Sequence, residues 1–581
     1  MDNRSLQLSL QVGIQIYLYL FHSILFTVVH YFGSQHPLFL LVFFKTINSS
    51  IYNWFGYGAT TAGMVLGETS FYFPIFLGLI SILLLSGSVL RLSSYFYHLI
   101  NSKSTSISPI NRLCIFATGA VCIGLCLFGI RGRMGYNPIR VSQAYYCTDP
   151  FLNQLGVNPV FNLLTSTLDD NRKENRYLHL MPEQEAITNM QSILQRKGIE
   201  GISPIAREVK CAAVPTQKNV VLIFMESMSA NLMEHFGSTK KLTPFLDSLY
   251  LESLSFDHFY SAGIHTNHGM YATLYSFPAI MKRNAMKGAV VPVYSGLPTV
   301  LKDNDYRNLF FMTHESQYDN MNAFLRTNGF DEIYAQENYP KDKVVNSFGV
   351  QDDFLYQYAL PILNKRAEER QPFFTVLLSI SNHPSYVIPD YFKPHSTKLE
   401  DQIVEYADWA IRQFMQEARK QPWFENTIFV LLGDHGKLVG SPDCEIPQSC
   451  NHVPLMIYGK GIKPEIRQEP GGQTDVAPTL LGLLNMSYTQ NDFGINLLTE
   501  QRPYVYFSAD NLIAATNTTH LYIYSPHDRQ EFKYKKQGNA LQLVTGEDST
   551  FYVMKKYCFS TLQSAEYLVK EHKTVNKANG Q

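Results

Sequence analysis

The stretch NVVLIFMES, residues 219–227, decides the fold. Its five consecutive apolar residues, Val220 to Phe224, have the length and composition of a strand that is buried on both faces of a sheet. The run ends at a carboxylate, Glu226. A buried carboxylate is costly unless it is paired with a cation or binds a metal. The stretch therefore predicts a buried strand and requires a partner for Glu226 elsewhere in the chain.

Four later runs have the same continuous apolar character, and they read RNLFFMT, FFTVLLSIS, TIFVLLGD and VPLMIYG. Between two of them, LEDQIVEYADWAIRQFMQEARK places Val404, Ala407, Ile411 and Phe414 on one helical face. Strands that alternate with helices predict an α/β domain with a mostly parallel central sheet. Active sites of such sheets lie beyond the carboxyl ends of the strands. The residues that follow each run are therefore the candidates for function.

Carboxylates, amides and imidazoles recur at these strand ends. His452 directly precedes the run VPLMIYG. The residues that follow the runs are Glu226, His314, Asn382, His383, Asp434 and His435. Each alone has an ordinary explanation as a surface or core residue. Their recurrence at one level of the sheet indicates a site for a hard-to-borderline metal ion, which takes oxygen and imidazole ligands.

The segment YSAGIHTNHGMYATLYSFP, residues 260–278, offers a nucleophile. Thr266 stands just before Gly269, where a short helix is expected to begin. A hydroxyl at a helix N-terminus can coordinate a metal, lose its proton and attack a phosphorus or sulfur centre. The alternative is that Thr266 only caps the helix. The metal-ligating residues predicted around it favour the nucleophile.

The first 130 residues are much more apolar than the rest of the chain. Three runs, at residues 8–32, 71–90 and 113–130, are long enough to span a bilayer, which takes about 20 mostly apolar residues. A fourth run, PLFLLVFF, is too short alone and is either part of a poor extra span or an interfacial piece. We expect three to four transmembrane helices. Arg4 is the only basic residue before the first run. A signal peptide usually begins with a more basic segment, so the sequence favours an uncleaved span.

Charge between the runs bears on orientation. The loop between the second and third runs carries Arg91, Lys103 and Arg112, which favours the cytoplasmic side, whereas Arg131 and Arg133 after the third run oppose this arrangement. Three spans then place the large C-terminal part outside. We expect a multi-pass protein of the inner (cytoplasmic) membrane with its catalytic domain on the periplasmic or extracellular side. The net charge of −1 gives no indication of nucleic-acid binding.

Four regions follow from these patterns. We expect a transmembrane region at 1–130, a connector with helices at 131–215, a catalytic domain at 216–510 and a C-terminal part or extension at 511–581. The connector includes the helical segment EQEAITNMQSILQRKGI. The spacing of Cys444 and Cys450 would allow a disulfide in an oxidising compartment.

Several motifs together carry a resemblance. Glu226 after the first strand, Thr266 in the next segment, the histidine after SN, then GDHG, NHVPLMIYG and QTDVAPTLLGLL resemble the alkaline phosphatase and sulfatase superfamily. Together with the N-terminal apolar runs, the chain resembles a membrane protein of the lipoteichoic acid synthase type. The resemblance covers about residues 218–500 by motif, and it implies a sulfatase-like α/β domain behind transmembrane helices.

The resemblance also implies roles for individual residues. Glu226, Thr266, Asp434 and His435 would be the ligands of one divalent ion, usually Mn²⁺, with Zn²⁺ and Mg²⁺ as alternatives. Thr266 would be the nucleophile and would carry a phospho-threonine intermediate. The substrate pocket would include the residues His314, Tyr318, Asn320, His383 and His452.

Two departures from the family pattern limit the substrate. The C/S-x-P-x-R motif of formylglycine sulfatases does not occur around Thr266, so sulfate-ester hydrolysis by that chemistry is not expected. Lipoteichoic acid synthases grip glycerol phosphate with a Trp and an Arg after the equivalent of His314. Here Tyr318 and Asn320 stand roughly at those places, which removes a bidentate phosphate clamp. The identity of the headgroup therefore stays open.

The resemblance implies a membrane-anchored, metal-dependent phosphotransferase. It would move phosphoglycerol, or a related headgroup such as phosphoethanolamine, from a membrane phospholipid to a cell-envelope glycan or lipid. One alternative is a phosphoester, phosphodiester or sulfate-ester hydrolase of the same fold with water as the acceptor. Another is a catalytically inactive membrane protein that binds envelope polymers. The presence of all four metal-site residues argues against the inactive protein.

Overall fold

The computed structural model describes residues 131–147, 150–171, 178–288, 291–384, 386–526, 529–538, 540–546 and 548–576, with scattered residues between 72 and 129. The apolar run at 8–32 and the PLFLLVFF segment lie outside the described residues, and the other two runs are described only in part. Within the described part of the chain, no helix combines the length and the apolar character that crossing a membrane requires. The chain divides into two compact units, Met1–Asn171 with Gly288–Val290 and Arg172–Lys287 with Val291–Gln581.

The first unit has two short helices near its end, α1 (Pro150–Leu155) and α2 (Pro159–Asp170). The turn before α1 is held by the side chain of Asn153, whose Oδ1 accepts hydrogen bonds from the backbone N–H groups of Tyr146 (2.9 Å) and Cys147 (3.1 Å). The boundary between the two units falls inside the predicted connector.

The second unit contains strands from one end to the other. Their bounds are β1 (Arg207–Val209), β2 (Asn219–Met225), β3 (Leu254–Phe256), β4 (Phe259–Tyr260), β5 (Arg307–Met312), β6 (Glu332–Tyr334), β7 (Val344–Asn346), β8 (Gly349–Val350), β9 (Phe373–Leu378), β10 (Thr427–Gly433), β11 (Leu455–Gly459), β12 (Glu465–Arg467), β13 (Gly471–Gly472), β14 (Tyr488–Gln490), β15 (Val505–Ser508), β16 (Ile513–Thr516), β17 (His520–Ser525), β18 (Gln530–Gln537) and β19 (Ala540–Leu543).

The α-helices of the second unit lie between these strands and at its two ends. They are α3 (Glu183–Leu194), α4 (Pro244–Leu251), α5 (Thr266–Tyr275), α6 (Leu297–Asp303), α7 (Met321–Thr327), α8 (Asp352–Glu368), α9 (Leu399–Ala418), α10 (Gln448–Asn451), α11 (Val476–Leu483) and α12 (Ser549–Lys570).

An eight-stranded sheet in the order β12-β3-β11-β10-β2-β9-β5-β6 forms the centre of this unit. All five predicted strands are present, and β2, β9 and β10 are buried along their whole length. β2 pairs in parallel with β10 on one side and with β9 on the other. The prediction of an α/β domain with a mostly parallel central sheet is therefore confirmed, and the one reversed strand, β11, makes the sheet mixed.

The reversed direction of β11 matters for the site. Leu455, its first residue, pairs with Leu432 near the end of β10. The residues that precede β11 therefore lie at the same edge of the sheet as the residues that follow β10.

Helices α8 and α9 pack on each other and cover one face of the sheet. Three residues of the apolar face predicted for α9, Val404, Ile411 and Phe414, are at most 3% exposed and belong to the core, whereas Ala407 is half-buried. The helical spacing thus identified the core face of α9 from sequence.

A second sheet, formed by strands β15 to β19 in order, is antiparallel throughout. Helix α12 packs on β16 and on α3, the helix predicted from EQEAITNMQSILQRKGI. The Nδ2 of Asn189 donates to Ser560 Oγ at 3.0 Å between these two helices. Helix α3 precedes the strands of the central sheet in the sequence and helix α12 follows them. The two helices nevertheless pack together within the same compact unit.

The loop between β10 and β11 contains the two cysteines whose spacing would allow a disulfide. Cys444 and Cys450 are both free thiols in the structure. Cys444 Sγ instead lies 2.8 Å from the carbonyl oxygen of Ile446, and the backbone carbonyl of Cys450 accepts from Gly436 N–H at 2.9 Å.

Candidate metal centre and active site

The ends of β2 and β10 bring two carboxylates together. Met225 and Gly433 pair at the ends of these parallel strands, so Glu226 and Asp434 follow at the same level. Both are buried, with 2% and 0% of their surface exposed. Ser227 joins them, because its Oγ donates to Glu226 Oε1 at 2.7 Å and its N–H donates to Asp434 Oδ1 at 2.8 Å.

His435 completes a cluster of three ligand-type side chains. Its Nε2 lies 3.7 Å from Glu226 Oε1 and 3.6 Å from Asp434 Oδ2. Its Nδ1 lies 2.8 Å from the carbonyl oxygen of Gly436 and can only donate there. In the neutral ring that bond leaves the lone pair on Nε2, the tautomer that a metal ligand requires. One ligand atom from each of the three residues lies within 4.8 Å of the others.

The cluster fits a divalent cation by two further observations. Asp434 Oδ2 is buried and accepts no hydrogen bond from any described residue. Burial, together with the neighbouring Asp434 carboxylate, raises the pKa of Glu226 well above its usual value. Two adjacent buried carboxylates are costly without a compensating cation. Oxygen and imidazole donors in this arrangement suit Mn²⁺, Zn²⁺ or Mg²⁺.

Thr266 is the first residue of α5, and its hydroxyl faces the cluster. Its Oγ1 donates to Glu226 Oε2 over 3.4 Å. The residue that caps the helix is His265, so Thr266 does not have the role of N-cap that the sequence left as an alternative. Thr266 is half-buried and stands at the positive end of the helix dipole, where negative charge on its oxygen is stabilised.

Close backbone packing holds α5 against the end of β10. A Cβ on Gly269 would lie 2.0 Å from the carbonyl oxygen of Asp434, so only glycine permits this approach. Gln473 fixes the same carbonyl, since its Nε2 donates to Asp434 O at 2.7 Å while its Oε1 accepts from Ala262 N–H at 2.8 Å. Sequence reasoning used QTDVAPTLLGLL only as a motif and gave Gln473 no role.

Three of the predicted pocket residues lie along one aromatic wall. The His314 and Tyr318 rings are 4.8 Å apart, the Tyr318 and Phe348 rings 6.4 Å, and the Phe348 and His383 rings 4.1 Å. Burial lowers the pKa of His314 and favours its neutral form. Phe348, which joins the two halves of the wall, carries no catalytic signature in sequence and was missed.

The other two predicted pocket residues make structural contacts. Asn320 adopts a left-handed backbone conformation, with φ of 68°, and its Nδ2 donates to the Met286 carbonyl at 2.7 Å. The Nε2 of His452 donates to the Asp257 carbonyl at 2.7 Å, and its ring packs against Tyr260. Neither hydrogen bond involves a residue of the metal cluster.

Asp319 links the predicted pocket segment to the nucleophile. Its Oδ2 accepts from Asn267 Nδ2 at 3.0 Å, and its Oδ1 accepts from Lys287 Nζ at 2.8 Å. Asn267 directly follows Thr266 in α5. Asp319 also has a positive φ of 52°, a strained conformation of the kind found at functional sites. Sequence reasoning selected its two neighbours and missed Asp319, because its partners are distant in the chain.

Lys437 follows GDHG and connects three strand ends. Its Nζ donates to Asn382 Oδ1 at 2.6 Å, and Asn382 Nδ2 donates to the Ser227 carbonyl at 3.1 Å. Burial lowers the pKa of Lys437 to about 8. The position of a lysine two residues after His435 is the sequence signal that could have identified it.

Comparisons with known proteins bear on the family and the fold. The Sulfatase family matches residues 218–486. A lipoteichoic acid synthase-like protein, YvgJ of Bacillus subtilis, is 27% identical over 318 residues, which are 49% of this chain and 50% of the relative. Phosphoglycerol transferase I of Xanthomonas campestris is 26% identical over 307 residues, 49% of this chain and 43% of the relative. The chain thus spans about half the length of the curated relatives it matches.

A solved structure extends the likeness of fold beyond the matched family region. A protein of the alkaline phosphatase superfamily from Vibrio parahaemolyticus superimposes with a TM-score of 0.63 at 22% identity, covering 70% of this chain and all of that protein. Residues 218–486 thus match the Sulfatase family, they resemble relatives of the lipoteichoic acid synthase and phosphoglycerol transferase kind, and the fold is shared with a protein of the alkaline phosphatase superfamily.

Proposed function

We propose that this chain is a membrane-anchored, metal-dependent phosphotransferase. It moves phosphoglycerol, or a related headgroup such as phosphoethanolamine, from a membrane phospholipid to a cell-envelope glycan or lipid. The observation that carries the proposal is the Thr266 hydroxyl placed 3.4 Å from Glu226, next to the cluster that Glu226 forms with Asp434 and His435. Relatives that include a phosphoglycerol transferase support the class of headgroup.

Glu226, Asp434, His435 and the Thr266 hydroxyl would hold the divalent cation, with Mn²⁺ as the first candidate. When bound, the cation supplies positive charge that polarises the phosphate and favours the deprotonated hydroxyl. Ser227 and Gly436 keep the ligands in place, since Ser227 donates to both carboxylates and Gly436 accepts from the His435 ring.

The chemistry proceeds in two displacements at phosphorus. In the first, a bond forms between Thr266 Oγ1 and phosphorus, and the bond from phosphorus to the diacylglycerol oxygen breaks. The Thr266 proton passes to Glu226 Oε2, its hydrogen-bond partner, and from there to solvent. The leaving oxygen takes a proton from His383 on the aromatic wall. The product of this step is diacylglycerol and a phospho-threonine.

In the second displacement, a hydroxyl of the acceptor attacks the phospho-threonine. The new phosphate ester bond forms as the bond to Thr266 Oγ1 breaks, the acceptor proton passes to His383, and Thr266 Oγ1 regains a proton from solvent. The apolar N-terminal runs would anchor the chain in the inner membrane, with the domain on the outer side near its lipid donor.

The test uses the purified full-length chain in detergent with Mn²⁺. Phosphatidylglycerol and phosphatidylethanolamine are supplied separately, and diacylglycerol release is followed by thin-layer chromatography. We expect release from at least one donor, and a loss of several orders of magnitude in Thr266→Ala, because nucleophile and metal act as a unit. Thr266→Ser, which keeps a hydroxyl, is the matched control. Undiminished turnover by Thr266→Ala would exclude the mechanism, and free headgroup phosphate instead of acceptor product would show hydrolysis.

A further inference from the structure

Lys437 has a charge that the protein does not neutralise by direct contact. It is half-buried, and within the described residues no carboxylate oxygen lies within 4.0 Å of its Nζ. Other lysines in the same part of the molecule are paired, with Lys240 at 2.8 Å from Asp401 and Lys287 at 2.8 Å from Asp319. Among the described residues, the ammonium makes one hydrogen bond, to the neutral amide oxygen of Asn382.

An ammonium group has three N–H donors, and this bond occupies one of them. The other described contact of Lys437 is the ring of Tyr386, whose centroid lies 5.6 Å from Nζ, so both partners are neutral and the partly desolvated charge is costly unless an anion binds to it. The charged groups that act on Lys437 at longer range include Glu400, Asp401, Lys240 and Glu226. Glu400 is exposed and lies outside ion-pairing distance of Lys437. Asp401 is already paired with Lys240, and Glu226 belongs to the metal cluster. The charge of Lys437 is therefore available to a ligand.

The position of Lys437 makes the catalytic centre the place where that ligand binds. Asn382, its hydrogen-bond partner, donates to the carbonyl of Ser227 at 3.1 Å. Ser227 in turn donates to Glu226 and Asp434. Two residues thus separate the Lys437 ammonium from the carboxylates of the cluster, and Asn382 is also the neighbour of His383 on the aromatic wall.

We propose that Lys437 binds an oxygen of the phosphate group of the phospholipid donor and determines the affinity of the site for phosphate anions. The identity of the donor rests on the proposed function. The binding of a phosphate anion by Lys437 does not, because it follows from the uncompensated charge and its position.

If Lys437 only holds Asn382 in place, an uncharged N–H donor can replace it. If Lys437 binds anions, its positive charge is required. Lys437→Gln keeps an N–H donor for Asn382 and removes the charge, whereas Lys437→Arg keeps the charge. The control is Lys460→Gln, since Lys460 is 71% exposed and pairs with Glu425 at 3.1 Å. Thermal unfolding of each variant establishes that the fold is retained.

The experiment measures binding of inorganic phosphate to the full-length chain by titration calorimetry, in the Thr266→Ala background, with and without Mn²⁺. Because a charge-assisted hydrogen bond is lost, we expect Lys437→Gln to weaken phosphate binding about ten- to hundredfold. We expect Lys437→Arg to bind within about threefold of the parent and Lys460→Gln to match it. Equal binding by Lys437→Gln and its parent, or no binding of phosphate by the parent, would overturn the proposal.

A kinetic arm separates the lipid donor from free phosphate as the ligand. With phosphatidylglycerol in mixed micelles, Lys437→Gln should raise KM about tenfold or more and change kcat less. Weaker phosphate binding with an unchanged KM would overturn the assignment to the donor. If the wild type releases no diacylglycerol while Lys437→Gln loses phosphate binding, the proposed function fails and anion binding by Lys437 stands.

Discussion

The Nε2 atom of His435 lies 3.7 Å from Oε1 of Glu226, across the ends of two neighbouring parallel strands. The buried carboxylate at the end of β2 therefore has an imidazole and a second carboxylate beside it, and no lysine or arginine among the described residues lies within ion-pairing distance of it. Two adjacent buried carboxylates repel each other and are costly to bury. A divalent ion bound between them makes the arrangement favourable.

Glu226→Gln should reduce the stabilisation by Mn²⁺ without lowering the stability of the metal-free protein. In the absence of metal we expect the variant to be as stable as the wild type or more stable, because it removes a buried charge and its repulsion with Asp434, the two causes that raise the pKa of Glu226. With Mn²⁺ at 100 times its dissociation constant, the wild type should gain about 2.7 kcal/mol and the variant much less. Thermal unfolding with and without Mn²⁺ measures both effects.

The control for this prediction is Glu234→Gln, because Glu234 is exposed. It should unfold like the wild type under both conditions. A Glu226→Gln variant that kept the full stabilisation by Mn²⁺ would show that the three residues do not form a metal site.

Gly269→Ala should disrupt the junction between the nucleophile helix and the metal cluster. The added Cβ would meet the Asp434 carbonyl oxygen at 2.0 Å, and backbone cannot move aside as a flexible side chain can. We expect a loss of about 3 kcal/mol of unfolding free energy and of measurable transfer activity. Denaturant unfolding and diacylglycerol release are the measurements. Gly546→Ala, which has no atom within 4 Å of its new Cβ, should be neutral, and a neutral Gly269→Ala would refute the packing described.

His452 should make stability depend on pH below neutrality. Burial lowers the pKa of His452 to about 4, against 6.5 in the unfolded chain. Its contribution is fully present above pH 6.5 and is lost as the pH falls from 6.5 towards 4, because the unfolded chain takes up the proton first. His452→Gln should reduce the fall in unfolding free energy over this interval by about 2 kcal/mol.

Urea unfolding at several pH values tests this slope. His395→Gln is the matched control, because the His395 side chain is 98% exposed. If His452→Gln left the slope between pH 6.5 and 4 as steep as in the wild type, the ring would not be buried in its neutral form.

Asp319→Asn should impair the nucleophile without removing the metal. Asp319 accepts hydrogen bonds from Asn267, next to Thr266, and from Lys287. Loss of its charge should loosen the start of α5, so we expect kcat to fall about tenfold while the stabilisation by Mn²⁺ is kept. An unchanged kcat would mean that this contact does not position Thr266. Asp331→Asn is the control, since Asp331 pairs with an exposed lysine, Lys302, at 2.7 Å.

Tyr318→Leu should change the choice of donor more than the rate of the chemical step. The Tyr318 ring packs at a tilt against the His314 ring on the aromatic wall, and Tyr318 is not one of the three residues of the metal cluster. We expect the ratio of kcat/KM for phosphatidylglycerol to that for phosphatidylethanolamine to shift, with metal-dependent stabilisation unchanged. A proportional loss for both donors would place Tyr318 outside headgroup recognition.

Much of this site could be predicted from sequence because its residues follow continuous apolar runs. The runs at Val220 and at TIFVLLGD fix two strands, and neighbouring parallel strands necessarily end at the same edge. Strand ends therefore placed Glu226, Asp434 and His435 among the candidates, and the resemblance to a known family selected them as metal ligands. The helical spacing around Ile411 likewise identified the core face of α9.

The features that were missed depend on tertiary contacts that no local pattern encodes. Asp319 and Phe348 lie in loops, and their partners come from distant segments. The direction of β11 depends on how its chain returns to the sheet, which the apolar run itself does not specify. The role of Gln473 could not be recognised before α5 was known to pack on the end of β10.

The central claim is that Thr266 carries the headgroup phosphate during transfer, and the most direct test is mass spectrometry of the full-length chain. The protein is incubated with phosphatidylglycerol and Mn²⁺ without an acceptor, quenched in acid and digested with trypsin. We predict a glycerophosphate adduct on the peptide that contains Thr266, absent in Thr266→Ala and without added lipid. Diacylglycerol release with no adduct at Thr266, or an adduct on another residue, would contradict this account.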